Sequence, residues 1–133
     1  VPQRYVLDAS AGIEILNRTP SGLALTAHTF RPGAEEWTVD HFYVEVAKVI
    51  RRDVLRGVLT DTRAGALVDG LVRWPLSVTQ SAPLLRDAWT MRHNITIHDG
   101  LYVALARHLG ATLVTADQKL ANAPGLNVPV VAP

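Results

Sequence analysis

The chain has 133 residues, 48% of them apolar and 19% charged, with a formal net charge of +1. That length suits one domain with a real core and is too short for two, and no apolar run approaches the ~20 residues that cross a bilayer, so no membrane association is expected. Cysteine is absent, which excludes disulfides, thiolate zinc sites and cysteine nucleophiles and is compatible with a reducing, cytoplasmic setting.

Arg4 precedes only a short apolar run before Asp8, which is not a signal-peptide pattern. Tyr5-Val6-Leu7 reads as a β-strand ending at Asp8. Ser10–Leu16 predicts a short helix, closed by turn signals over Asn17–Gly22. A second helix is expected over Leu23–Phe30, stopped by Pro32-Gly33. Trp37–Val39 reads as the second strand, with Asp40 placed to cap the next helix. His41–Arg52 is the clearest amphipathic helix: Phe42, Val46, Val49 and Ile50 make one apolar stripe, and Glu45 falls at its edge beside His41, Lys48 and Arg52.

Another helix is predicted over Thr62–Val72, capped by Thr60 or Asp61. A strand over Leu76–Thr79 follows Pro75, then a helix from Ser81 or Ala82 to Met91 with Pro83 in its first turn. Asp99–Leu109 reads as a helix that is apolar around most of its circumference and is stopped by Gly110. Such a helix is buried, either under a sheet or in a subunit interface. Thr112–Thr115 is a strand ending just before Asp117, and Val128–Val131 is a last strand whose Pro129 points to the sheet edge. Strands alternating with helices imply an α/β fold, a parallel sheet with right-handed crossovers and helices on both faces.

In open α/β sheets, ligands bind beyond the carboxyl ends of the strands, near a topological switch point. Asp8 and Asp117 lie just past predicted strands, Asp99 opens a helix, and Glu45 sits one turn into its own. All four can therefore meet at one rim. Each also has an ordinary role open to it: capping for Asp8 and Asp117, the helix macrodipole for Asp99, and an i,i+3 pair with Lys48 for Glu45. Four carboxylates in one cleft would repel, and a hard divalent cation removes that cost. An all-oxygen set suits Mg²⁺ or Mn²⁺, whereas zinc would recruit His or Cys. No Ser-His-Asp or Cys-His pattern competes with this reading. Eleven of the thirteen cations are Arg, a type suited to phosphate-like partners, though a GC-rich genome would also produce it. Lys48, Arg51 and Arg52 could steer a phosphate backbone or simply form a solvated face. His41 and His98 could touch the site, and Trp37, Trp74 and Trp89 could stack bases, but packing or surface roles are the plainer reading for all five.

Four segments carry a family resemblance: Val6-Leu7-Asp8-Ala9-Ser10, Val44 to Arg52, His98 to Ala106, and Leu113 to Leu120. In order and interval they resemble the four signatures of the PIN-domain family, and more narrowly the VapC-type toxins of bacterial toxin–antitoxin pairs. The resemblance implies a single PIN domain over residues 1–133, built as a three-layer α/β/α sandwich on a central, mainly parallel sheet. It implies Mg²⁺ or Mn²⁺ dependence and endonucleolytic cleavage of RNA by metal-activated water. It assigns catalysis and metal ligation to Asp8, Glu45, Asp99 and Asp117, and places Ser10 and Thr115 as hydroxyl supports behind them. His98 stands where Tyr or Phe is frequent, and Gly100 where Ala is usual. A cognate antitoxin that blocks the cleft with a basic side chain is expected. So is a homodimer, through Leu101–Leu109 or the Leu84–Met91 helix. The rival from another class is a non-catalytic PIN-like module that binds RNA or protein. A receiver domain needs an acidic doublet after its first strand and a haloacid-type phosphatase needs Asp-x-Asp; Asp8-Ala9-Ser10 supplies neither.

Overall fold

The computed structural model describes residues 2–133; Val1, the first residue of the expected domain, lies outside them. Five strands form one sheet: β1 (Arg4–Leu7), β2 (Glu35–Val39), β3 (Ser77–Thr79), β4 (Thr112–Val114) and β5 (Val130–Val131). Their order is β3-β2-β1-β4-β5, and every neighbouring pair is parallel. Val6 of the central strand lies opposite Trp37 on one side and Leu113 on the other. Tyr5, Val6 and Leu7 are all buried, as a parallel strand covered on both faces requires.

The helices are α1 (Ala9–Asn17), α2 (Pro20–Thr29), α3 (Phe42–Leu55), α4 (Asp61–Arg73), α5 (Leu85–Thr90), α6 (Ile97–Leu109) and α7 (Gln118–Ala121). From β1 the chain winds outward to β3, then returns past β1 to β4 and β5. Right-handed crossovers put α1–α4 on one face and α5–α7 on the other, because the direction of travel reverses. This gives the three-layer sandwich, with its switch point between β1 and β4.

The core follows the sequence periodicities. Phe42, Val46 and Ile50 are the buried stripe of α3. Residues Gly100 to Ala106 of α6 are buried without a break, against β1, β2, β4 and α5. That helix lies under the sheet within one chain, so the Leu101–Ala106 surface is not free to form a dimer. On α5, by contrast, Leu85 and Trp89 remain 48% and 56% exposed. Helices α1 and α3 touch closely at Gly12, where an added Cβ would lie 2.5 Å from the Phe42 ring.

Some boundaries differ from the sequence reading. Helix α2 begins at Pro20, inside the segment read as a turn: Thr19 Oγ1 accepts from Gly22 N at 3.0 Å and Pro20 takes the first helical position. Gly22 is required there, since a Cβ would sit 2.0 Å from the Glu14 carbonyl oxygen. Helix α6 begins two residues early because Thr96 caps it, accepting from Asp99 N at 3.2 Å. Asp40 does not cap α3. Its Oδ2 accepts from Ser81 N at 3.1 Å, and His41 holds the cap position without a side-chain cap bond. The Ser81–Met91 helix is a 3₁₀ turn at Ala82–Leu84 followed by α5. No helix among the described residues is long and apolar enough to cross a membrane.

Candidate active site

Asp8 follows the last residue of β1 and is 3% exposed. Its extended backbone makes it the N-cap of α1, and Oδ1 accepts from Ala11 N at 2.8 Å. Ser10 Oγ donates to the same oxygen at 2.7 Å, and Thr115 Oγ1 donates to Oδ2. Both hydroxyl oxygens accept backbone protons from the end of β4: Ser10 from Ala116 N and Thr115 from Asp117 N, each at 3.0 Å. Each hydroxyl has one proton, and both are spent on Asp8. The 3.2 Å approach of Ser10 to Thr115 is therefore a contact and not a further bond. This network fastens the carboxyl ends of β1 and β4 at the switch point. Burial pushes the Asp8 carboxyl up to about 6, against the pull of these three hydrogen bonds, and the nearby charge of Asp99 adds to the rise.

Asp117 is exposed and caps α7, its Oδ1 accepting from Lys119 N at 2.9 Å and Leu120 N at 3.3 Å. Asp99 lies in the first turn of α6. Burial raises its pKa, the charges of Asp117 and Glu45 raise it further, and Thr96 and His98 oppose them. Asp99 is thus the hub of the cluster, within electrostatic reach of each of the other three acids. Asp99 and Asp117 face a cleft of about 420 Å³, whose lip carries Arg92, His93 and Lys119.

Glu45, one turn into α3, has no bond to Lys48. Its Oε1 accepts from Tyr102 Oη at 2.7 Å and makes an ion-pair contact with His41 Nε2 at 3.1 Å. Burial alone would raise its pKa, but the close contacts with His41 and Tyr102, with the positive charge available on His41 and His98, bring it below the usual carboxylate value. Glu45 itself lines a second groove with Lys48, Arg51 and Arg52, about 460 Å³ in volume, and is not among the residues lining the Asp99–Asp117 cleft. Trp37 and Trp74 donate to Glu35 and Glu36 at the sheet, whereas Trp89 is exposed with the Arg92 guanidinium 4.9 Å from its ring centre.

Sequence reasoning did not single out Tyr102, and left His41 as a surface or packing residue. One signal for Tyr102 was present: it is the polar-tipped residue in an otherwise apolar buried run, and a buried tyrosine hydroxyl needs a partner.

Among the described residues, no Lys or Arg is ion-paired with Asp8, Asp99 or Asp117. Asp8 Oδ2, Asp117 Oδ2, Glu45 Oε2 and the Asp99 carboxylate all keep lone pairs to spare. They could hold an oxygen-seeking cation. No three acidic or histidine side chains among the described residues stand close enough to enclose an ion by themselves. Such spread donors suit Mg²⁺, which keeps several waters and takes one or two carboxylates, better than a calcium cage or a closed zinc site.

A model of the PIN domain family matches residues 5–126. Ribonuclease VapC12 of Mycobacterium tuberculosis is 38% identical over 130 residues, which cover 94% of this chain and 95% of that protein. The fold is similar to that of VapBC2 from Rickettsia felis, solved bound to a DNA fragment from its promoter, with a TM-score of 0.68, 16% identity and 98% of both chains covered. It is also similar to VapBC-5 from Mycobacterium tuberculosis, of the VapBC family of toxin–antitoxin systems, with a TM-score of 0.56, 20% identity and 98% of both chains covered. By sequence and by fold, the chain belongs to the PIN domain family and groups there with the VapC ribonucleases.

Proposed function

We propose that this protein is a Mg²⁺- or Mn²⁺-dependent endoribonuclease and the toxin of a toxin–antitoxin module. What supports this reading is the gathering of acids around Asp99: Asp8 from the end of β1, Asp117 from beyond β4 and Glu45 from α3 all lie within its electrostatic reach, and none of the three aspartates is ion-paired with a Lys or Arg among the described residues. The name of its relative, a ribonuclease, supports the same reading. Asp8, Asp99 and Asp117 would be the principal ligands, with Glu45 as ligand or proton acceptor. The ion would supply charge neutralisation at a phosphodiester and a water activated near neutral pH.

The chain's own groups do the rest. Ser10 and Thr115 aim both oxygens of Asp8, while Asp99 and Asp117 form the wall of the cleft. Arg92 and Lys119 on its lip offer positive charge to an RNA backbone. A cognate antitoxin would cover this cleft and answer its acids with a basic side chain, and Leu85 and Trp89 of α5 offer an apolar face to a second copy of the chain. The test is RNA cleavage with and without Mg²⁺ by wild type, Asp8→Asn and Asp99→Asn. Cutting that needs the ion and is lost in both variants is expected. Full activity in excess chelator, or undiminished cutting by both variants, would refute the proposal.

A further inference from the structure

Glu45 and Asp99 belong to helical layers on opposite faces of the sheet, yet they must meet over its edge. Two side chains bridge that gap. Tyr102 lies three residues beyond Asp99 on α6, on the same side of the helix. It is 1% exposed, so its ring is fixed in the core and its hydroxyl cannot swing. That hydroxyl donates to Glu45 Oε1 at 2.7 Å. His41, one turn before Glu45 on α3, brings Nε2 to 3.1 Å from the same oxygen as an ion-pair contact. The Nε2 hydrogen bond itself runs to the carbonyl oxygen of His98, the residue before Asp99, at 3.3 Å. Both neighbours are acceptors, which makes Nε2 the protonated nitrogen. The His41 ring packs on Tyr102 with centroids 4.6 Å apart.

We propose that Tyr102 and His41 are positioning residues: together they tie α3 to the turn of α6 that carries Asp99, and leave Oε2 as the oxygen that Glu45 can offer to a cation shared with Asp99. The Tyr102 hydroxyl bond and the His41 ring 3.1 Å away both engage Oε1, so Oε2 is the oxygen Glu45 can offer a cation, and in one orientation. Without these ties a glutamate would sample several rotamers, and its distance from Asp99 would not be set. The inference rests on the divalent-ion reading above and specifies how one of its carboxylates is held.

The test is Mn²⁺ affinity by calorimetry, alongside RNA cleavage, in a double-mutant cycle of Tyr102→Phe and Glu45→Gln. Tyr102→Phe keeps the ring and removes only the hydroxyl. It should weaken Mn²⁺ binding about tenfold, as loss of a ligand's supporting partner does. In the Glu45→Gln background the same change should alter affinity less than about twofold, because there is no longer a carboxylate to aim. A second pair of variants keeps the inference testable should Tyr102→Phe fold poorly: His41→Gln retains an N–H donor and should bind Mn²⁺ nearly as wild type, while His41→Leu should lose about tenfold. Multiplicative losses in the cycle, wild-type affinity in Tyr102→Phe, or equal behaviour of the two His41 variants would overturn the inference and leave the metal site standing. A wild type that binds no Mn²⁺ would overturn the metal reading itself, and this inference with it.

Discussion

Asp8 is held where an ionised carboxylate is costly, so its removal should stabilise the metal-free protein. Its pKa rises from 3.8 in the unfolded chain to about 6 in the folded state. Below the unfolded value both states hold the proton and there is no cost. Between the two values the folded state alone keeps it, so stability falls as pH rises, and above about 6 the full cost is in place. Linkage then gives a cost of about 3 kcal/mol at pH 7.5 and about 1 kcal/mol at pH 4.5. Asp8→Asn removes this cost but sets an amide N–H₂ against one of the two donating hydroxyls, a mismatch of about 1 kcal/mol. The variant should therefore exceed wild type by about 2 kcal/mol at pH 7.5 in EDTA, and the advantage should vanish near pH 4.5. Denaturant unfolding at the two pH values measures both differences. Excess Mg²⁺ should reverse the order at pH 7.5, since ligand binding to the folded state stabilises only the protein that can bind. A variant less stable than wild type by the same amount at both pH values would show that Asp8 carries no such burial cost.

Other expectations rest on particular contacts. Mn²⁺ affinity should drop as pH falls through about 6, because a protonated Asp8 cannot act as a ligand; calorimetry showing no change between pH 5 and pH 8 would contradict this. Gly12→Ala should destabilise by about 1–3 kcal/mol in thermal unfolding, because its methyl group would press on the buried Phe42 ring. Phe42→Leu in the same chain should recover part of that loss. Arg107 donates to the carbonyl oxygens of Leu126 and Gly125, both at 2.8 Å, and to Asp87 at 3.1 Å. Its replacement by Ala should cost about 2 kcal/mol, and Lys should fail to restore stability because one ammonium cannot match the planar fork.

Much of the architecture was legible because local pattern and tertiary role agree. The stripe of α3 and the all-round apolar run of α6 state directly what each buries, and Pro129 beside the last strand matches its edge position. The misreadings have tertiary causes. Pro20 and Gly22 look like turn residues until α1 packs close enough to exclude a side chain at position 22. Asp40 has the right type for a cap but finds a backbone donor 41 residues away.

The acids hold a subtler lesson. Capping and membership of an acidic rim were weighed as rivals for Asp8 and Asp117, yet each caps its helix through Oδ1 while Asp117 keeps Oδ2 free at the cleft and Asp8 gives Oδ2 to Thr115 with a lone pair to spare. A cap at a strand-to-helix junction aims the carboxylate toward the sheet edge where ligands bind, so one role prepares the other. For Glu45 the sequence spacing suggested Lys48; the structure substitutes Tyr102, 57 residues along the chain. No periodicity encodes a pairing between helices of different layers, which depends on how both cross the end of the sheet.

The most direct measurement is an anomalous difference map from crystals of the active protein soaked in Mn²⁺. One strong peak is predicted in the cleft, about 2.0–2.2 Å from an oxygen of Asp99 and of at least one of Asp8 and Asp117. A map with no peak there, or an arginine or lysine of the same chain paired with those acids in its place, would contradict the metal-site reading.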